Sequence, residues 1–168
     1  MPLKILQKTE TKSYYYRGKK MNTTGLPIFD KTFHKTNKWI LDVNQTLKLN
    51  DRHKAFSSLR AVLHAVRDRM PHEEAVHLGS QLPALLAGYY YQGWTPASNP
   101  VKSRTIDAFL RQIEEELENV NIKNVTIEEI TEAVFAVLQN NISEGEIDHI
   151  LAMMPEELEE LWTAEITV

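Results

Sequence analysis

The chain has 168 residues, 42% hydrophobic and 25% charged, with 6 Gly, 7 Pro and no Cys. That is ordinary globular composition; the missing cysteines exclude disulfides and thiolate metal or redox chemistry, and no apolar run nears the roughly 18 residues of a membrane span. The net charge of −4 conceals a polarity: residues 1–20 hold 6 basic and 1 acidic side chains (+5), 21–105 hold 11 and 6 (+5), and 106–168 hold 2 and 16 (−14).

Residues 1–20 are basic and carry no sustained helical or alternating period, so they are expected to be a disordered tail outside the fold. No apolar run follows them, so no secretory signal is expected and the expected location is cytoplasmic. After Pro27 the pattern turns helical. Phe29, Phe33, Thr36, Ile40, Val43 and Leu47 fall at spacings of three and four, one face of a 3.6-residue period. Asn50-Asp51 ends that helix and caps a second, with Ala55, Leu59, Val62, Leu63 and Val66 as its stripe. Pro71 starts a third, carrying Ala75, Leu78 and Leu82, and Pro83 starts a short fourth through Leu86 and Tyr90. Gly93-Trp94-Thr95-Pro96 and the residues up to Pro100 read as a linker, with Trp94 expected to clamp two halves together.

The second half repeats the same order. Ile106, Phe109, Leu110, Ile113 and Leu117 make a first helix; Thr126 with Glu129 is a capping box before Ile130, Val134 and Leu138. Ser143 with Glu146 reads as another before Ile147 and Ile150, and Pro155 starts a last helix with Leu158, Leu161 and Trp162. Registers coincide: Ala61-Val62-Leu63 lies 75 residues before Ala136-Val137-Leu138, and Leu82-Pro83 lies 72 before Met154-Pro155. Tyr90 lies 72 before Trp162. The reading is an all-α fold of two tandem, diverged four-helix repeats packed as one bundle-like body. The expected boundaries are 28–92 and 103–163, joined by a linker over 93–102. Each unit alone would be marginal, so a shared core is expected.

Several stretches carry a resemblance: Lys35-Thr36-Asn37-Lys38-Trp39, Asp51-Arg52-His53-Lys54-Ala55, Leu59 to Arg69, His77-Leu78-Gly79-Ser80-Gln81-Leu82-Pro83 and Tyr90-Tyr91-Gln92-Gly93-Trp94. In combination they resemble a bacterial family, the domain of unknown function 2267 proteins. The resemblance implies a small helical protein without an established activity, and it transfers no catalytic residue.

Four constellations remain. Glu74-x-x-His77 and Glu146-x-x-His149 are equivalent in register, and paired Glu-x-x-His motifs serve carboxylate-bridged di-metal bundles. Against that, the Ser143 capping box already uses Glu146, Glu74 suits a helix N-terminus, and no acid between Asp51 and Asp68 completes the set. These four are therefore rejected as metal ligands and no cofactor is expected. His72 and His77 have the outline of a zinc-protease motif, but five residues turn a helix about 500°, so the rings point apart. Arg52, Lys54, Arg60, Arg67 and Arg69 make the second helix basic, yet no basic recognition helix comes after it, which argues against nucleic acid. His64, Tyr90 and Trp94 form a candidate ligand pocket whose competing explanation is core packing.

The function expected is recognition. A non-enzymatic interaction or scaffolding module would bind an unknown protein partner, or itself, through its polarised charge. Arg60 and Arg67 facing Glu114, Glu115 and Glu118 are the expected contact residues. A small-ligand or di-metal protein is the alternative, then a nucleic-acid binder; no membrane role is expected.

Overall fold

The computed structural model describes residues 15–16, 19–20 and 24–163. The first four form a two-residue antiparallel ladder, Tyr15 opposite Lys20 and Tyr16 opposite Lys19. Otherwise the expectation for residues 1–20 lies outside the described residues. Between residues 24 and 163 the chain is all-α: α1 (Pro27–Thr46), α2 (Arg52–Arg69), α3 (His72–Gln81), α4 (Ala84–Tyr91), α5 (Ile106–Leu117), α6 (Ile127–Asn141), α7 (Glu144–Met153) and α8 (Glu159–Thr163). Short 3₁₀ turns at Pro96–Ser98 and Glu156–Leu158 punctuate the linker and the approach to α8.

The helix boundaries obey local chemistry. After α1 the chain reverses through Lys48 and Asn50, both with φ of +52°, a left-handed conformation that asparagine tolerates well. Asn44 Oδ1 accepts from the Asp51 N–H at 3.0 Å, and Asp51 Oδ1 accepts from the N–H groups of His53 (3.0 Å) and Lys54 (3.2 Å). Those two donors would otherwise be orphaned at the start of α2. At α6 the capping box forms: the Thr126 N–H donates to Glu129 Oε2 at 2.7 Å and the Glu129 N–H to Thr126 Oγ1 at 3.1 Å.

At α7 it does not. Ser143 occupies the N-cap but its side chain makes no capping hydrogen bond. The expected Ser143–Glu146 box is thus corrected; the Glu146 carboxylate lies 3.1 Å from His77 Nδ1 instead.

α2 is the central element. Its Leu59, Ala61, Val62, Leu63, Ala65 and Val66 are fully buried, because it packs against α1, α4, α5 and α6. Each such Val or Leu removed from water contributes about 1.5–3 kcal/mol. α1 packs on α6 as well as α2, and one hydrophobic cluster runs from Trp39 and Val43 through α2 to Phe109, Ile113, Phe135, Leu138 and Trp162. The α1 stripe begins later than its spacing suggests: Phe29 (54%) and Phe33 (40%) are exposed, and burial starts at Thr36. Trp39, between the predicted positions, is buried and Ile40 only partly so, because the large indole takes the deeper position facing the core.

The linker folds back onto the end of α2. The Trp94 indole N–H donates to Asn99 Oδ1 at 2.8 Å, and Asn99 Nδ2 donates to the carbonyls of Arg67 (2.6 Å) and Met70 (3.0 Å). The Val101 N–H bonds Asp68 O at 2.8 Å. The Trp94 ring stacks on His72 at 5.5 Å, lies 5.6 Å from Tyr91 and faces the Arg67 guanidinium. These contacts fasten the linker to the first half, whereas the sequence suggested a clamp between halves; helices α2, α5 and α6 make that join instead. Among the described residues, no helix is long and apolar enough to cross a membrane.

Candidate functional site

The expected basic-on-acidic contact exists at the α2–α5 seam, with a different acid. Arg60 Nε donates to Glu116 Oε1 at 3.1 Å, and His64 Nδ1 lies 3.0 Å from Glu116 Oε2. His64 Nε2 lies 2.7 Å from the Tyr89 carbonyl. Burial would raise the Glu116 pKa, but the hydrogen bond and charge of His64, then those of Arg60, outweigh it and hold the carboxyl below its ordinary value. Glu114 and Glu115 on α5, and Glu118 just past its end, are exposed and do not make this contact. The amphipathic phase of α5 contains the missed signal: Glu116 lies three residues after Ile113 and beside Leu117, on the border of the buried stripe.

Farther along the seam the basic residues go inside. Arg67, 4% exposed, donates to the Tyr90 and Gln92 carbonyls and to Asp68 Oδ1 at 2.8 Å. Arg69, 2% exposed, donates to Ala65 O at 3.0 Å and Gln112 Oε1 at 2.6 Å, and its guanidinium lies over the Phe109 ring at 5.0 Å. Gln112 Nε2 donates to Asp68 Oδ2 at 2.8 Å, closing a polar chain across α2 and α5. Burial lowers the Arg69 pKa to about 10, with Asp68 opposing the shift, so it remains a cation at neutral pH.

The three pocket candidates are packed. Tyr90 is fully buried, its hydroxyl donating to Ala75 O at 2.7 Å, and burial, first among the causes, raises its pKa. His64 is spent on Glu116 and Tyr89, and Trp94 on His72 and Asn99. A cleft of about 810 Å³ lies elsewhere, between the α1–α2 and α5–α6 turns, and includes Lys48, Lys54, Lys123 and Glu132 in its walls.

The Glu-x-x-His residues converge. His149 Nε2 lies 2.6 Å from Glu74 Oε2, and His77 Nδ1 lies 3.1 Å from Glu146 Oε1. The two imidazoles meet edge to face with centroids 6.2 Å apart. α3 and α7 therefore exchange partners: the acid of each motif bonds the histidine of the other.

No curated protein matches the chain. The family model described as "uncharacterized conserved protein", domain of unknown function 2267, matches residues 36–161, most of the chain and both of its halves. The chain belongs to this family of uncharacterised conserved proteins, DUF2267.

Proposed function

We propose that this protein is an interaction module that offers an acidic helical face to a basic protein partner. One observation carries the reading: the positive charge along the later turns of α2, from Arg60 onward, is consumed internally. Arg67 and Arg69 are buried, and Arg60 and His64 share Glu116. The surplus acids therefore remain outside. Glu114 and Glu115 on α5, Glu118 just past its end, Glu128 at the start of α6 and Glu156 before α8 are exposed. Such a face raises the local concentration of a cationic partner and speeds encounter. A second copy could supply the cations only by a head-to-tail contact, since like halves repel.

The reading also treats residues 28–92 and 103–163 as diverged copies of one unit. The reciprocal pairing of Glu74 with His149 and of Glu146 with His77 supports it, because two copies related by an approximate twofold would exchange contacts in this way.

The test is binding of a lysine-rich peptide, monitored by fluorescence anisotropy, to the full chain and to Glu114→Lys/Glu115→Lys/Glu118→Lys. Screening shortens the Debye length from about 30 Å at 0.01 M salt to about 10 Å at 0.1 M. Affinity should fall over that range and fall again in the triple reversal. Binding indifferent to both changes, or no binding at low salt, overturns the proposal.

A further inference from the structure

We infer that Glu74, His77, Glu146 and His149 form a site for a single divalent first-row transition-metal ion bridging α3 and α7. On a helix, residues three apart turn about 300°, leaving their side chains roughly 60° apart on one face. Each Glu-x-x-His therefore presents a carboxylate and an imidazole in the same direction. α3 and α7 then aim these two pairs at each other.

One oxygen of Glu74 and one ring nitrogen each of His77 and His149 lie within 4.8 Å of one another. Around a tetrahedral ion with bonds of about 2.0–2.2 Å, ligand atoms sit about 3.4 Å apart. The gap to be closed is thus of the order of an ångström. The side chains can close it by rotation alone, because His77 and His149 are half exposed, at 50% and 43%. Glu146, 3.1 Å from His77 Nδ1 but outside that mutual grouping, would have to swing toward the ion to serve as the fourth donor.

The charge is also suited to a cation. Two carboxylates carry −2, which a divalent ion neutralises, and neutral imidazole nitrogens complete the shell. Mixed imidazole and carboxylate ligands favour zinc, iron or manganese over copper(I), which prefers sulfur. The donor set is too small for a carboxylate-bridged pair of ions, since α2 has no acid between Asp51 and Asp68. One ion is the capacity of this cluster.

The competing explanation is a pair of ordinary surface ion pairs whose acids also complement two helix N-termini. It accounts for Glu74 and Glu146 in the first turns of α3 and α7. It does not account for two histidines at matching positions brought into ring contact. Nor is Glu146 detained by the Ser143 cap, which makes no side-chain bond. Apart from this cluster α3 packs on α2 and α4, and α7 on α6. A bound ion would add a cross-link between two peripheral helices, one from each half of the chain.

The experiment is calorimetric titration of the full chain with Zn²⁺, and separately with Mn²⁺, alongside thermal melts. The expected result with Zn²⁺ is one saturable equivalent and a melting temperature that rises with occupancy, because an ion that binds only the native state stabilises it by mass action. His77→Ala and His149→Ala should each weaken Zn²⁺ binding by about tenfold or more, as loss of a ligand requires. Glu74→Gln should weaken it too, while His53→Ala, exposed on α2 and outside the cluster, should leave it unchanged. Far-ultraviolet circular dichroism of the metal-free variants checks that the fold persists. Absence of a saturable equivalent for either ion, or binding that survives the His77→Ala/His149→Ala double substitution, overturns the inference.

Discussion

Glu116 accepts from two basic side chains across the α2–α5 seam, and its position makes the pairing worth more than an exposed ion pair. The half-buried carboxylate left without either partner, or the partners left without it, would incur a desolvation cost. Glu116→Gln keeps the shape and removes the charge, and should lower stability at neutral pH by about 1–2 kcal/mol in urea denaturation. The pH dependence has a definite sign. A carboxyl held below its ordinary value in the fold contributes stability that is present above the unfolded value, about pH 4.3. That contribution is lost as the pH falls through the lower folded value. Stability of the natural chain should therefore decline on acidification below about pH 4.3 more steeply than that of Glu116→Gln. Equal slopes would show that Glu116 carries no such linkage. Arg67 and Arg69 are the complementary case, since a count of basic residues on a helix does not say which of them face water. Both read as surface cations and are buried donors to main-chain carbonyls.

At the level of helices, caps were the most legible feature, because their partners lie within three residues. Asp51 and Thr126 each accept from backbone N–H groups in the first turn of the helix they cap. Ser143 has the same local sequence signature and does not, and the Glu146 carboxylate pairs with a long-range partner, His77, instead. The two positions should therefore respond differently to truncation. Thr126→Ala should cost about 1 kcal/mol, the usual value of an N-cap side chain. Ser143→Ala should stay within about 0.5 kcal/mol, as for a surface substitution with no special role. Chemical denaturation of both variants decides it, and an equal loss at the two positions would restore the second capping box. The stripe of α1 shows the other limit. Period alone placed Phe29 and Phe33 on the buried face, whereas the face that meets α2 and α6 opens at Thr36.

For the whole molecule, the central place of α2 predicts cooperativity. Its buried face is shared among α1, α4, α5 and α6, so cutting the chain in the linker would expose it. A fragment of residues 21–98 should be largely unfolded or aggregate, while the full chain melts in one transition. A sharp independent melt of that fragment would show that the first four helices hold a sufficient core of their own. The acidic surface belongs to this scale as well, because the burial of Arg67 and Arg69 leaves fewer cations outside to offset it.

The all-α class, the helix order and most boundaries were open to sequence reading, since each rests on periodicity, prolines and caps within a few residues. So was the membership suggested by the stretches between Lys35 and Trp94, which the family match over residues 36–161 establishes. The identity of the acid that meets Arg60 was not, nor the inward turn of Arg67 and Arg69, nor the meeting of Glu74 with His149. Those residues stand 56 and 75 positions apart along the chain for the pairs Arg60–Glu116 and Glu74–His149. Motif spacing fixes a side chain's direction on its own helix, but contact across such separations depends on how whole helices pack, and only the assembled core decides that.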